Sequence, residues 1–568
     1  MRTLCLLLGL SYLLTAPDVT ASGEFFSKHD VTYTFDSQGV STVDQRVTLT
    51  NKLSGIYASE YVLTLQGSPP QNISGRDSSG PLRITTSAAG DTTSVKLAFN
   101  DQIVGQDKSL NFSLTYHSQP ATHNGQVWEV ILPRLGNPDQ IDDYQLTLVV
   151  PPVFGKLAFV SPTPASSSAH QYTFTKDQIG KIGVVASFGN FQTFGFRLTY
   201  NLQNSTSRPG LTTIALPADT NYQRVFYDSL DPAPQSVEVD PDGNWLATYQ
   251  VSPRSQLDVV AAGQAHILAE PTRTLVDATS ATSPVYLQAT PYWPSADPFI
   301  KQLAAKLRTP EAIYNYVVST LSYDYARAKP GVARKGGLAA LNTPQSSICT
   351  EFTDAFITLA RAAGIPAREV NGYAYTTDSN LRPLSLVSDV LHAWPQYWSP
   401  DRQTWISIDP TWGKTTGGID YFHKLDFNHF TFVTHGQSDS QPLPAGSYKQ
   451  DPSSRQVEVF FDQYQDYPVP QLDLSWRQPW QILPFITSSS TLTIKNPSGQ
   501  ALYHLPVDII PSRVRLVSPV TLTIPVLPPY GQVSLPLVFA PHTTPDFSPK
   551  SLFISVGNQQ ITYNVPAQ

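Results

Sequence analysis

The chain is poor in cysteine, methionine and charge: it has two cysteines and one methionine in 568 residues, and only 14% of its residues are charged. Cys5 falls in an N-terminal apolar stretch, so once that stretch is removed Cys349 has no partner and a disulfide framework is excluded. The net charge of −7 is not interrupted by any Lys/Arg block, which argues against a polyanion-binding face and against nucleic acid as a partner. No segment approaches the ~20 consecutive apolar residues of a spanning helix. What the chain does have is 49 prolines, abundant Ser and Thr, and 11% aromatics. That is too aromatic for disorder, and it fits a loop-rich, mainly β, extracytoplasmic protein. The length exceeds one ordinary core, so several domains are expected.

The first residues read as a secretory leader over 1–21: Arg2, an apolar run from Leu4 to Leu14, then Val19-Thr20-Ala21 before a cut at Ser22. This predicts a secreted protein with no transmembrane segment after cleavage. Short alternating runs such as Val31-Thr32-Tyr33-Thr34-Phe35 and Val95-Lys96-Leu97-Ala98-Phe99 then predict antiparallel strands. Phe112 to Tyr116 and Phe196 to Tyr200 echo each other, suggesting β-sandwiches over 22–120 and 121–205. A β-rich segment, 206–285, follows and ends in polar residues around Thr279 to Ser283. Residues 297–435 change character, with helical spacing in Phe299 to Leu307 and Ala312 to Leu321 and strands after residue 366. A Pro- and Gln-rich linker over 437–480 leads to a C-terminal β-sandwich over 481–568.

The helical spacing is strongest over 349–363, where Phe352, Phe356, Leu359, Ala360 and Ala363 share a face and Gly364-Ile365-Pro366 stops the helix. Cys349 therefore opens a helix, where the dipole favours thiolate and the first amides lack intrahelical acceptors. Ser346 or Ser347 is the expected cap. A lone cysteine is more often a small core residue, so its neighbours must decide. Runs from His392 to Trp398 and Thr404 to Asp409 flank Ser399-Pro400-Asp401-Arg402, which reads as a hairpin loop. A four-residue loop pairs Trp398 with Gln403 and sets His392 opposite Asp409, close enough for the carboxylate to orient the imidazole. Nucleophile, base and orienting carboxylate then point to a Cys349, His392, Asp409 triad. Pro395 removes a backbone donor from the histidine strand, which calls for an edge position or a bulge.

The segment Gly364-Ile365-Pro366-Ala367-Arg368, Gly372-Tyr373, His392-Ala393-Trp394 and Trp405-x-x-x-Asp409-Pro410-Thr411 resembles the transglutaminase-like superfamily, a papain-type cysteine fold. The likeness spans about a quarter of the chain, residues 297–435. It implies an α+β core flanked by β-sandwiches, in which Cys349 is the nucleophile, His392 the general base and acid, and Asp409 the orienting residue. It further implies that the thiolate attacks a protein or peptide carboxamide and leaves a thioester, which an amine or water resolves. A second oxyanion donor is implied upstream of the cysteine, with Tyr323, Tyr325 and Gln345 as candidates and Tyr325 preferred. Trp394 and Trp412, with Trp398 and Trp405, are placed to wall an acyl channel, or else to pack as core. The spacing of His423, His429 and His435 matches no familiar zinc pattern, and no acidic loop matches a calcium site, so neither metal nor cofactor is expected. A peptidase or amidase of the same fold and a noncatalytic surface scaffold are the rival readings. Cell-surface or cell-wall components are the further partners considered.

Overall fold

The alternation of apolar and polar residues becomes sheet in the computed structural model, which describes residues 23–565 apart from 68, 91, 137, 181, 273–283, 330, 378, 380, 385–390, 450, 452, 453, 478–486 and 542–549. The expected leader over 1–21 and the polar stretch over 279–283 lie outside the described residues. The chain divides into two compact units. The first contains the described residues up to Thr122 together with Val130–Phe154 and Pro162–Val184. The second contains His123–Glu129, Gly155–Ser161 and the chain from Val185 onward.

In the first unit an eight-stranded sheet and a three-stranded sheet enclose one core, with Val43, Val47, Leu49, Val95, Leu97, Phe112 and Leu114 inside. Asp143–Val149 pairs parallel with Phe25–Phe35, and Gln171–Thr175 extends the same sheet. The sheet thus crosses residue 120, where the sequence suggests a boundary between two sandwiches. Alternation marks each strand, but it carries no information about which strand lies beside it.

The second unit holds another sandwich, in which the sheet built on Phe191–Asn204 and Ser255–Leu268 faces the one built on Gly210–Leu216 and Trp245–Val251. The pairing of Phe191–Asn204 with Ser255–Leu268 also runs across residue 205. Within the expected linker over 437–480, Val457–Phe461 pairs with Phe191–Asn204 and Asp473–Arg477 with Ser488–Lys495, so parts of it belong to folded sheets. Its prolines interrupt helices but tolerate short edge strands. At the C-terminus a three-stranded and a four-stranded sheet close over Leu492, Ile494, Val507, Ile509, Leu552 and Ile554.

Between these sandwiches in sequence lies an α+β region. It comprises helices α1 (Pro298–Leu307), α2 (Pro310–Thr320), α3 (Gly337–Asn342), α4 (Cys349–Ala362) and α5 (Pro410–Thr415), and strands β1 (Ala367–Ala374), β2 (Leu391–Ser399), β3 (Thr404–Ser407) and β4 (His429–His435). The sheet order is β3-β2-β1-β4. Helix α1 is capped by the Asp297 carboxylate and α2 by the Thr309 hydroxyl, each followed by a proline that needs no amide partner. Helix α4 ends in a Schellman turn: Gly364 sits at φ 79°, its amide donates to Arg361, and the Ile365 amide donates to Ala360. Phe352, Phe356, Leu359 and Ala360 pack with Ile300, Ile313, Val317, Ile406 and Ile408.

Every α4 residue from Glu351 to Arg361 is buried, including the polar face that amphipathic spacing assigns to solvent. That face is covered by the segment before α3. Arg327 reaches Glu351 at 3.2 Å, Arg334 donates from Nε to Asp354 at 2.9 Å and from a terminal nitrogen to Glu369 at 3.0 Å, and Arg361 donates to the carbonyls of Ala367 and Gly436. Buried charges on the helix that Cys349 opens are thereby paired or hydrogen-bonded, as burial requires.

Candidate active site

Cys349 occupies the first position of α4, fully buried, and is a free cysteine. The cap is Ile348, not the serines that sequence suggests. Its amide donates to the Glu351 carboxylate at 3.0 Å, the returning half of a capping box, while the Ser347 hydroxyl is buried without a hydrogen-bond partner. Glu351 is thus both the Arg327 partner and the group that fixes the entry of the chain into Cys349.

His392 lies near the start of β2 and Asp409 just beyond β3, and they meet with His392 Nε2 2.9 Å from Asp409 Oδ2. The contact expected from the hairpin is present, but the register is not. Ser399 pairs with Thr404 and Trp398 with Trp405, two residues away from the pairing of Trp398 with Gln403. A shift of two keeps each side chain on its face, whereas a shift of one would have reversed them. Pro395 explains where the ladder stops. Its carbonyl accepts from the Ile408 amide on the side where its own nitrogen has no hydrogen, so β3 ends and the chain turns into α5. Asp409 then caps α5, with Oδ1 accepting from the Trp412 amide at 3.0 Å, which leaves Oδ2 for the histidine.

The other ring nitrogen of His392, Nδ1, is buried without a nitrogen or oxygen partner, and the ring interacts with the Cys349 thiol. Burial pulls the His392 pKa down, but the Asp409 carboxylate and then the Cys349 sulfur outweigh it, and the value is pushed up to about 10. Burial acts on Asp409 in the opposite sense, and His392 with His429 overcomes it, holding the carboxyl below its usual range. The imidazole is clamped by two indoles: Trp412 stacks at 5.1 Å and Trp394 at 5.9 Å between ring centroids. Both are fully buried and pack around the imidazole, which corresponds to the core alternative and not to the channel wall among the two readings of the sequence. Trp398 and Trp405 pack with Tyr286 in a separate cluster.

Tyr325 is 52% exposed and Gln345 is exposed. The neighbouring Tyr323 instead turns inward. Its segment runs beside Ser347, with the Asp324 amide donating to the Ser347 carbonyl at 2.8 Å, and this brings the ring alongside the helix start. The Tyr323 hydroxyl is buried without a hydrogen-bond partner, and its pKa is raised by burial first and by the Cys349 sulfur second. Alternation favours Tyr323 and Tyr325 equally, since residues two apart share a face on a regular strand; only the local turn separates them.

The three histidines of sequence spacing six do not converge. His423 is exposed against Asp420, and His435 lies between Glu369 and the Pro442 carbonyl. His429 joins the site, with Nε2 3.4 Å from Asp409 Oδ2. The ligand atoms of His392, Asp409 and His429 lie within 4.8 Å of one another, yet each ring nitrogen already shares the carboxylate oxygen through a hydrogen bond, so the cluster reads as proton-sharing. The spacing of the histidines carries no sign of this role for His429, which is separated from Asp409 by 20 residues and reaches it only through sheet order.

A buried thiol at a helix start, an imidazole and a carboxylate thus lie together on an α+β core of one helix face and an antiparallel sheet. Residues 295–410 match the family model of the transglutaminase-like superfamily, so the chain carries a transglutaminase-like domain within a mainly β, multidomain architecture. The chain is 32% identical over 127 residues to a protein-glutamine gamma-glutamyltransferase of Pseudomonas aeruginosa, a match covering 20% of this chain and 18% of that protein. Among solved structures it is similar to a candidate cysteine protease from Cytophaga hutchinsonii, with 16% identity, coverage of 48% and 87% of the two chains, and a TM-score of 0.31. It is also similar to the periplasmic domain of TgpA from Pseudomonas aeruginosa, with 17% identity, coverage of 40% and 91%, and a TM-score of 0.22. Among the described residues no helix is long and apolar enough to cross a membrane.

Proposed function

We propose that the protein is an extracytoplasmic thiol acyltransferase of the transglutaminase-like kind, forming a thioester on Cys349 from a protein or peptide carboxamide. The single observation that carries this reading is the 2.9 Å contact of His392 with Asp409, with the other ring nitrogen of the imidazole turned to a buried thiol at a helix start. The Cys349 proton passes to His392 Nδ1 and the sulfur attacks the carboxamide carbon. The resulting oxyanion meets the Cys349 amide, at the first position of α4, and the Tyr323 hydroxyl, which is buried without a hydrogen-bond partner. His392 returns the proton to the leaving nitrogen, ammonia departs, and the thioester remains. An incoming amine or water then gives its proton to His392 as it attacks the thioester carbon, and the thiol is restored. Asp409 keeps the imidazole in the required tautomer and stabilises its charged form.

The leader-like N-terminus supports the extracytoplasmic location, and cell-surface components are the further partners this location would offer. Water and amine compete for one thioester, so the acceptor decides between hydrolase and transferase. The test is ammonia release from a glutamine peptide, with and without a primary amine, by the full chain and by Cys349→Ala. Release that requires Cys349 and is accompanied by amine incorporation is the expected result. Release without incorporation assigns a hydrolase, and release unaffected by Cys349→Ala overturns the reading.

A further inference from the structure

His429 is a buried titratable group beside the site that takes no part in the steps above. It opens β4, with Nε2 3.4 Å from Asp409 Oδ2 and Nδ1 3.0 Å from Asp426 Oδ1. Ionised carboxylates only accept hydrogen bonds, so a ring held between two of them must donate from both nitrogens and carries a positive charge. Asp426 is itself fixed by the Tyr421 hydroxyl at 3.2 Å and the Asn428 amide at 3.0 Å. Asp409 Oδ2 therefore receives two imidazoles whose ring centroids are 5.8 Å apart. Trp394 and Trp412 touch both rings and keep them in place.

We propose that His429 is a positioning residue for the triad, a second imidazolium that fixes the Asp409 carboxylate and shares its negative charge with His392. This rests on the proposed thioester chemistry only in making His392 the base that must gain and lose a proton. The consequence is electrostatic. Asp409 strengthens the hold of His392 on its proton, and a neighbouring cation on the same carboxylate weakens that hold and eases release to an acyl intermediate. Burial lowers the His429 pKa, but the hydrogen bonds to Asp409 and Asp426 outweigh it and raise the value overall. Other titratable and charged groups act on the pair from both ends: Cys349, Tyr314 and Tyr323 toward His392 and Asp409, and Tyr421, Arg382 and Glu129 toward Asp426.

The experiment replaces the charge but keeps a donor, His429→Gln, in the full chain. The pH dependence of Cys349 alkylation by iodoacetamide is measured beside that of ammonia release. The limb belonging to loss of the His392 proton moves to higher pH by about one unit, and the neutral-pH kcat for ammonia release falls about tenfold with KM little changed. Asp426→Asn removes the far carboxylate while leaving the ring, and shifts the same limb in the same direction by less. It carries the test should circular dichroism melting show that His429→Gln does not fold. A limb that stays in place or moves down in a folded variant overturns the proposal. If the alkylation limb shifts while the wild-type chain releases no ammonia from any glutamine peptide, the charge-sharing role stands and the thioester reading falls.

Discussion

Asp409 is the residue on which the site turns, because one side chain caps α5 through Oδ1 and orients His392 through Oδ2. Asp409→Asn keeps the cap but presents the wrong hydrogen-bonding group to the imidazole, and kcat is expected to fall about 10³- to 10⁴-fold with the fold intact, measured by ammonia release beside circular dichroism. Tyr323→Phe removes only a hydroxyl, and an expected loss of about 10²-fold in kcat with little change in KM tests its place at the oxyanion. The pair also governs stability against pH. The Asp409 and Asp426 carboxyls lie below their usual range when folded, so their contribution is present above about pH 4 and is lost as pH falls. His392 is raised to about 10, so its contribution is full below about pH 6.5 and is lost progressively as pH rises from there through about 10. Melting temperature should therefore be highest between these limits, and Asp409→Asn should flatten both slopes; an unchanged profile in the variant would contradict the assignment.

Among the elements, α4 was the most legible in sequence, because its apolar spacing and the Gly364 stop describe the helix that forms, Cys349–Ala362. Its environment was not legible. Glu351, Asp354 and Arg361 are polar and yet buried: the partners of the two carboxylates, Arg327 and Arg334, come from a loop that spacing cannot place, and Arg361 donates to the Ala367 and Gly436 carbonyls. The hairpin carried the His392 and Asp409 pairing in its composition but hid its register, because Pro395 ends the ladder and the α5 cap completes the approach. Gly372 shows the same dependence on tertiary context. A Cβ there would run into the Phe430 carbonyl oxygen, where β4 crosses β1 beside a bulge at Phe432. Gly372→Ala is expected to destabilise the chain by about 1–3 kcal/mol and to reduce activity by displacing β4, measured by denaturant unfolding and ammonia release.

At the scale of the whole molecule, the second unit uses its sandwich to finish the sheet that carries His392 and His429. Strand β4 is the sheet edge, and the Gln223 and Asn244 side chains each bond both the amide and the carbonyl of one β4 residue, Thr431 and Thr434. Tyr373, Phe430 and Phe432 enter the sandwich core beside Phe194, Phe196 and Tyr227. Edge strands left unpaired are mobile and prone to association, so these two amides hold the element that carries His429. Asn244→Ala leaves the Thr434 groups without a partner and is expected to cost about 1–3 kcal/mol, with faster hydrogen exchange over 429–435 as the local readout. Such long-range pairings, like the strands that cross residues 120 and 205, are set by topology and leave no local trace in sequence. The central claim, that Cys349 carries the acyl group, is tested most directly by intact-mass measurement of the full chain quenched in acid during turnover of a glutamine peptide. The predicted result is a gain equal to the peptide less ammonia, mapped to Cys349 and absent in Cys349→Ala; continued turnover with no such adduct, and none required at that residue, would contradict it.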